Sequence, residues 1–206
     1  MVNIMPSRLN KTKLLIGEGV DEQRLFTAWL KVLDLSENIQ VEYYEGKNNL
    51  SRYLKSLSIR PGYQRLESLG IFRDADTDAK SAFQSVQNAL IKARLVCPEH
   101  SGLFVEGKPR VGVFILPDGI DNGMLEDVCL AAVKSSPEME CVEQYFQCVT
   151  NTVPKKQPKN ISKAKIHAWL SSQNEPDKRL AEAAEAGYWP WESPAFDLLK
   201  QFLREL

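Results

Sequence analysis

Apolar positions change period repeatedly along the first part of the chain, and each change marks an element. Residues 13–16 (KLLI) are a short apolar run closed by Gly17-Glu18-Gly19. From Asp21 the spacing becomes Leu25, Phe26, Trp29, Leu30, Leu33, which is helical. The alternation returns with residues 40–44 (QVEYY), a break at Gly46, and a helical face of Leu50, Tyr53, Leu54 and Leu57. Residues 69–73 predict a third strand, and residues 81–95 a third helix with Phe83, Val86, Leu90 and Ala93 on one side. A fourth strand, residues 111–116 (VGVFIL), ends at Pro117-Asp118-Gly119 before a helix that begins near Asn122-Gly123, and residues 102–105 (GLFV) are a candidate hairpin strand. Apolar strands alternating with helices predict an α/β fold, an open and mostly parallel sheet flanked by helices.

Beyond Pro137 the pattern is helical. Val142, Tyr145, Phe146 and Val149 mark one short helix, Ile166, Trp169 and Leu170 another, residues 180–186 a third ending at Gly187, and residues 196–203 a fourth. The expected organisation is an α/β domain over residues 1–135 and a helical C-terminal extension over residues 136–206, packed on the same core. The joining stretch NTVPKKQPKN is expected to be an exposed loop.

With 206 residues, 43% of them hydrophobic, the chain can bury a real core. No apolar run is long enough to cross a bilayer, and MVNIMPSRLN lacks the apolar centre of a signal peptide, so a cytoplasmic protein without membrane contact is expected. Cys97, Cys129, Cys141 and Cys148 show no CxxC spacing, and His100 and His167 are the only histidines, which argues against zinc. The cysteines are expected to be reduced and mostly packed. A net charge of −1 excludes a basic nucleic-acid coater, although residues 151–165 hold five lysines and no acid.

The chemistry lies in the acids. Glu18, Asp74, Asp76, Asp118 and the pair Glu126/Asp127 follow the carboxyl ends of predicted strands, where open parallel sheets bind ligands. Carboxylates that converge must hold protons or share a cation, and oxygen ligands with almost no histidine favour Mg2+ or Mn2+. Such an ion would activate a water against a phosphodiester, with Glu18 as ligand or general base. Taken singly, each acid has a plainer role: Asp76 or Asp78 caps the helix from Ala79, Asp118 is a turn residue, and one of Glu126 and Asp127 faces solvent. An EF-hand fails because Ala79 and Ser85 occupy its required Gly and Glu positions. The stretch DADTD also resembles a haloacid-dehalogenase nucleophile motif, which leaves a small-molecule phosphatase using Asp74 as one alternative.

Glu18 in LLIGEGVDEQRLF, with Asp74 and Asp76 after LGIFR, resembles the toprim signature of primases, topoisomerases, small maturation ribonucleases and OLD-type (overcoming lysogenization defect) nucleases, over residues 13–135. The stretch VGVFILPDGIDNGMLEDVCL is similar to stand-alone prokaryotic toprim-like proteins related to the OLD-type nucleases. The resemblance implies a toprim-like fold and a metal set of Glu18, Asp74, Asp76, Glu126 and Asp127 for Mg2+ or Mn2+. It further implies catalytic roles for Glu18 and for Lys163 or Lys165, in the similar stretch SKAKIHAWLSS. The implied activity is nuclease-type phosphoryl transfer on nucleic acid, DNA or RNA, in repair, RNA processing or phage defence. An ATPase partner protein and a homodimer are left open, and a non-catalytic module that binds nucleic acid or protein is the other alternative. Lys163 and Lys165 fall in the first turn of a helix expected to be capped by Ser162, where the helix dipole disfavours cations and an external anion would offset it. Tyr188, Trp189 and Trp191 are read as a cap on the core.

Overall fold

A computed structural model describes residues 8–155 and 157–206; residues 1–7, read above for a leader, and Lys156 of the basic loop lie outside the described residues. The strands are β1 (Lys13–Gly17), β2 (Ile39–Tyr43), β3 (Ser68–Asp74), β4 (Phe104–Val105) and β5 (Arg110–Leu116). They form one sheet in the order β2-β1-β3-β5-β4, parallel except for β4, the hairpin strand anticipated at residues 102–105. The helices among the described residues are α1 (Val20–Val32), α2 (Leu50–Leu57), α3 (Ala79–Lys92), α4 (Leu125–Val133), α5 (Pro137–Thr152), α6 (Ile161–Ser171), α7 (Leu180–Glu185) and α8 (Asp197–Glu205). None of them is long and apolar enough to cross a membrane.

Strand side chains alternate between two cores. Leu14, Ile16, Leu69, Ile71, Val111, Val113 and Ile115 face α2 and α3, while Leu15, Phe72, Phe114 and Leu116 face α1, α4 and the C-terminal helices. Phe72 stacks on Phe26 at 4.2 Å between ring centroids and meets Phe202 of α8 edge-on at 5.1 Å. A buried ring of this kind contributes about 3–5 kcal/mol, so α8 shares in the core that holds β3.

Several boundaries differ from the sequence reading. The helix after β5 starts at Leu125 rather than near Asn122-Gly123, because Gly123, at φ 144, pairs with Asp76 through two backbone hydrogen bonds of 2.8 and 2.9 Å. A Cβ at Gly123 would stand 2.7 Å from Asp127 Oδ2. Helix α5 has 16 residues where a short helix was expected. Helix α6 is capped by Asn160, not Ser162: Asn160 Oδ1 accepts the Lys163 N–H at 2.8 Å, and the Ser162 hydroxyl donates to Asp127 instead. The four cysteines are free, but only Cys129 is buried; Cys141 and Cys148 lie one above the other on the exposed side of α5. Trp189 is buried against Trp169, and Trp191 meets Trp29 edge-on, as befits a cap on the core.

Candidate functional site

The first crossover, through α1, covers one face of the sheet, while the crossovers through α2 and α3 cover the other. Chains leaving the adjacent carboxyl ends of β1 and β3 therefore part to opposite faces, which opens a crevice between them. Its acids come from three segments. Glu18 follows β1 and is half-buried; a Cβ on the preceding Gly17 would meet the Glu22 Cβ at 2.9 Å, so this glycine lets the first turn of α1 fold back over the strand. Glu22 then accepts the Gly19 N–H at 2.9 Å, the glutamate half of a capping box whose other half Gly19 has no side chain to supply. Asp74 ends β3 and accepts the Leu125 N–H of α4 at 3.1 Å. Glu126, 7% exposed, lies in the first turn of α4 and pairs with Lys163 Nζ at 3.3 Å.

Glu22, Asp74 and Glu126, but not Glu18, line a cleft of about 660 Å3 together with Asp21, Asp76, Asn160, Lys163, His167 and Arg179. Helix α6 reaches it because α6 packs on α4, and Arg179 because α7 packs on α1. Burial first, then the nearby charges of Glu22 and Glu126, push the Asp74 carboxyl up to about 8. Burial also raises Glu22, against the Gly19 N–H, with Glu18 and Glu126 adding to the rise. Lys163 is held above its ordinary value chiefly by Glu126. Among the described residues no group of three or more His, Cys, Asp or Glu stands where it could hold a metal ion, so the acids share a field without closing on one point.

The remaining residues singled out in the sequence have partners of their own. Asp76, at φ 54, pairs across the rim with Lys47 at 3.6 Å. Asp78 is the cap of α3 and accepts from the Ser81 N–H at 2.9 Å. Asp118 accepts the Ile120 and Asp121 N–H groups and is a turn residue. Asp127 accepts the Met124 N–H at 2.8 Å and the Ser162 hydroxyl, tying α4 to α6. Lys165 turns away from the cleft to the Glu143 carboxylate of α5, at 2.6 and 2.7 Å. Sequence reasoning missed Glu22, His167 and Arg179. The first was signalled by its place three residues after Gly19 at the start of α1, the second by its four-residue spacing from Lys163, and the third by nothing local.

A family described as "Protein of unknown function (DUF3226)" matches residues 12–206. The chain belongs to the DUF3226 family. The DUF3226 match thus runs through the acidic segments and α6 alike. Comparison with curated proteins finds no match. Among solved structures, the C-terminal region of the Xanthomonas campestris pv. campestris OLD protein phased with mercury is similar at 14% identity and a TM-score of 0.40, over 96% of this chain and 87% of that one. The iodine-phased structure of that region is similar at 14% identity and a TM-score of 0.41 over the same shares, and the platinum-phased one at 13% and 0.40 over 95% and 84%.

Proposed function

We propose that this chain is a toprim-type, Mg2+- or Mn2+-dependent phosphodiesterase acting on nucleic acid. The observation that carries the reading is Asp74, a nearly buried carboxyl pushed up to about 8 by its surroundings and by acids from two other segments at the sheet's switch point. Acids gathered so hold a proton, as Asp74 does near neutral pH, or take a cation of high charge in its place. The donors suit a hard divalent ion in kind, being all carboxylate oxygen, but do not close on one point as they stand: Glu22, Asp74 and Glu126 would have to draw together to hold it. When bound, the ion supplies an acidified water and charge stabilisation for a phosphoryl group. Glu18, free of side-chain hydrogen bonds among the described residues, is the group assigned to take the water's proton. Lys163, already at the edge of the acids, is assigned to the charge that grows on the phosphate oxygens. Asp127 and Lys165 act as positioning residues, fixing α4 and α5 against α6. The same Asp74 environment weakens the phosphatase alternative, since a carboxyl that keeps its proton near neutral pH is a poor nucleophile.

The test joins calorimetric titration with Mn2+ to a cleavage screen on single- and double-stranded DNA and RNA. Wild type is expected to bind Mn2+ and cut a phosphodiester, while Asp74→Asn and Glu126→Gln lose both. Equal binding heats in wild type and Asp74→Asn would remove the metal reading and leave the non-catalytic binding module.

A further inference from the structure

The acid-rich cleft also holds basic side chains that pair with none of its acids. Asn160, Lys163 and His167 are spaced three and four residues apart, so they share one stripe of α6, and that stripe lines the cleft. Lys163 is committed to Glu126. Arg179, from the loop before α7, lines the same cleft as Glu22 and Asp74, yet among the described residues it forms no ion pair, and its hydrogen bonds are backbone ones, its N–H donating to Glu182 and its carbonyl accepting the Ala183 N–H. A guanidinium beside so many carboxylates and bound to none of them is free for an external anion, and its planar fork suits a phosphate. His167, exposed one turn beyond Lys163, has no side-chain partner among the described residues either. The cleft volume of about 660 Å3 is that of a small-ligand pocket, enough for a splayed strand and too little for a duplex.

We propose that Arg179 and His167 form a phosphate-contacting wall that holds a single nucleic-acid strand by the phosphates flanking the one attacked. This deepens the phosphodiesterase reading and rests on it for the word "attacked". The binding itself can be measured without cleavage. Once metal compensates the acids, the substrate backbone remains to be held across the cleft, and these two side chains are the donors left unassigned there.

The experiment is fluorescence anisotropy of a short labelled DNA or RNA single strand with the full chain, in EDTA and with Ca2+ replacing Mg2+, over a salt series. Arg179→Ala is expected to weaken binding about tenfold and to lower the slope of log K against log salt by about one. Arg179→Lys should recover part of the loss, and His167→Ala should lose less. Lys31→Ala, the same charge change at the opposite end of α1, should stay within about twofold. Arg179→Gln replaces the alanine variant if that one melts early. Binding by Arg179→Ala equal to that of Lys31→Ala overturns the inference even if the protein cuts nucleic acid, and so does a wild type that binds neither strand. Arg179-dependent binding without metal-dependent cleavage supports the wall and removes the catalytic reading instead.

Discussion

Among the described residues, the acids around Glu42 and those around Asp74 are held in opposite ways. On β2, Glu42 accepts from both Arg60 Nη groups at 2.6 and 2.8 Å, the Tyr53 hydroxyl, and Gln40 Nε2 at 2.6 Å. At the switch point, Glu22 and Asp74 each accept one backbone N–H, Glu126 pairs with Lys163, and Asp76 pairs with Lys47, the two lysines each 56% exposed. Burial raises both Glu42 and Asp74, yet Arg60 and Tyr53 outweigh it at Glu42 and hold that carboxyl below its ordinary value, while at Asp74 the neighbours add to the rise. The chain can neutralise a buried carboxylate where it chooses. Leaving one cluster uncompensated costs stability, and clusters of that kind mark functional sites.

The contrast breaks most easily at Arg60. Arg60→Ala strands the Glu42 carboxylate and is expected to destabilise by about 3–5 kcal/mol in urea unfolding, with cleavage per folded molecule unchanged. A loss below about 1 kcal/mol would mean that the paired cluster is not structural. Asp74→Asn should do the reverse, cutting activity by more than about a hundredfold at undiminished stability. If both variants lose stability alike, the two clusters are the same kind of feature.

How much of this was legible in the sequence follows from which distances matter. Strands and helices were readable because the period of apolar residues is local, and Glu18, Asp74 and Glu126 were readable because they follow strand ends. Lys163 and Lys165 looked equivalent, but two residues of helix turn a side chain through about 200°, which sends one to the cleft and the other to Glu143. Glu126 and Asp127 separate for the same reason. Arg179 was invisible because only the docking of α7 on α1 brings it to the acids.

A smaller effect is the response to pH. The Asp74 carboxyl keeps its proton in the fold between its ordinary 3.8 and about 8, so unfolding releases a proton in that window and stability falls as pH rises through it, by at most about 1.4 kcal/mol per unit. Glu42 runs the other way: its contribution is present above its ordinary 4.5 and is lost as pH falls through its depressed value. Urea midpoints from about pH 5 to about pH 8 should therefore decline more steeply in wild type than in Asp74→Asn, and Mn2+ should flatten the wild-type decline. Parallel slopes in the two proteins would show that Asp74 titrates normally.

The smallest expected effect separates neighbours on α4. Asp127 accepts from the Met124 N–H and the Ser162 hydroxyl, whereas Glu126 faces Lys163 and the cleft. Asp127→Asn keeps an acceptor oxygen for one of these donors and loses the charge, so about 1 kcal/mol of stability should go, with Ser162→Ala losing a similar amount. Because α4 and α6 carry the cleft's walls, cleavage should fall by less than about tenfold, against more than about a hundredfold for Glu126→Gln. A loss in Asp127→Asn as deep as that in Glu126→Gln, with Mn2+ binding gone, would move Asp127 from the scaffold into the acidic cluster and narrow the contrast between the two regions to Glu42 alone.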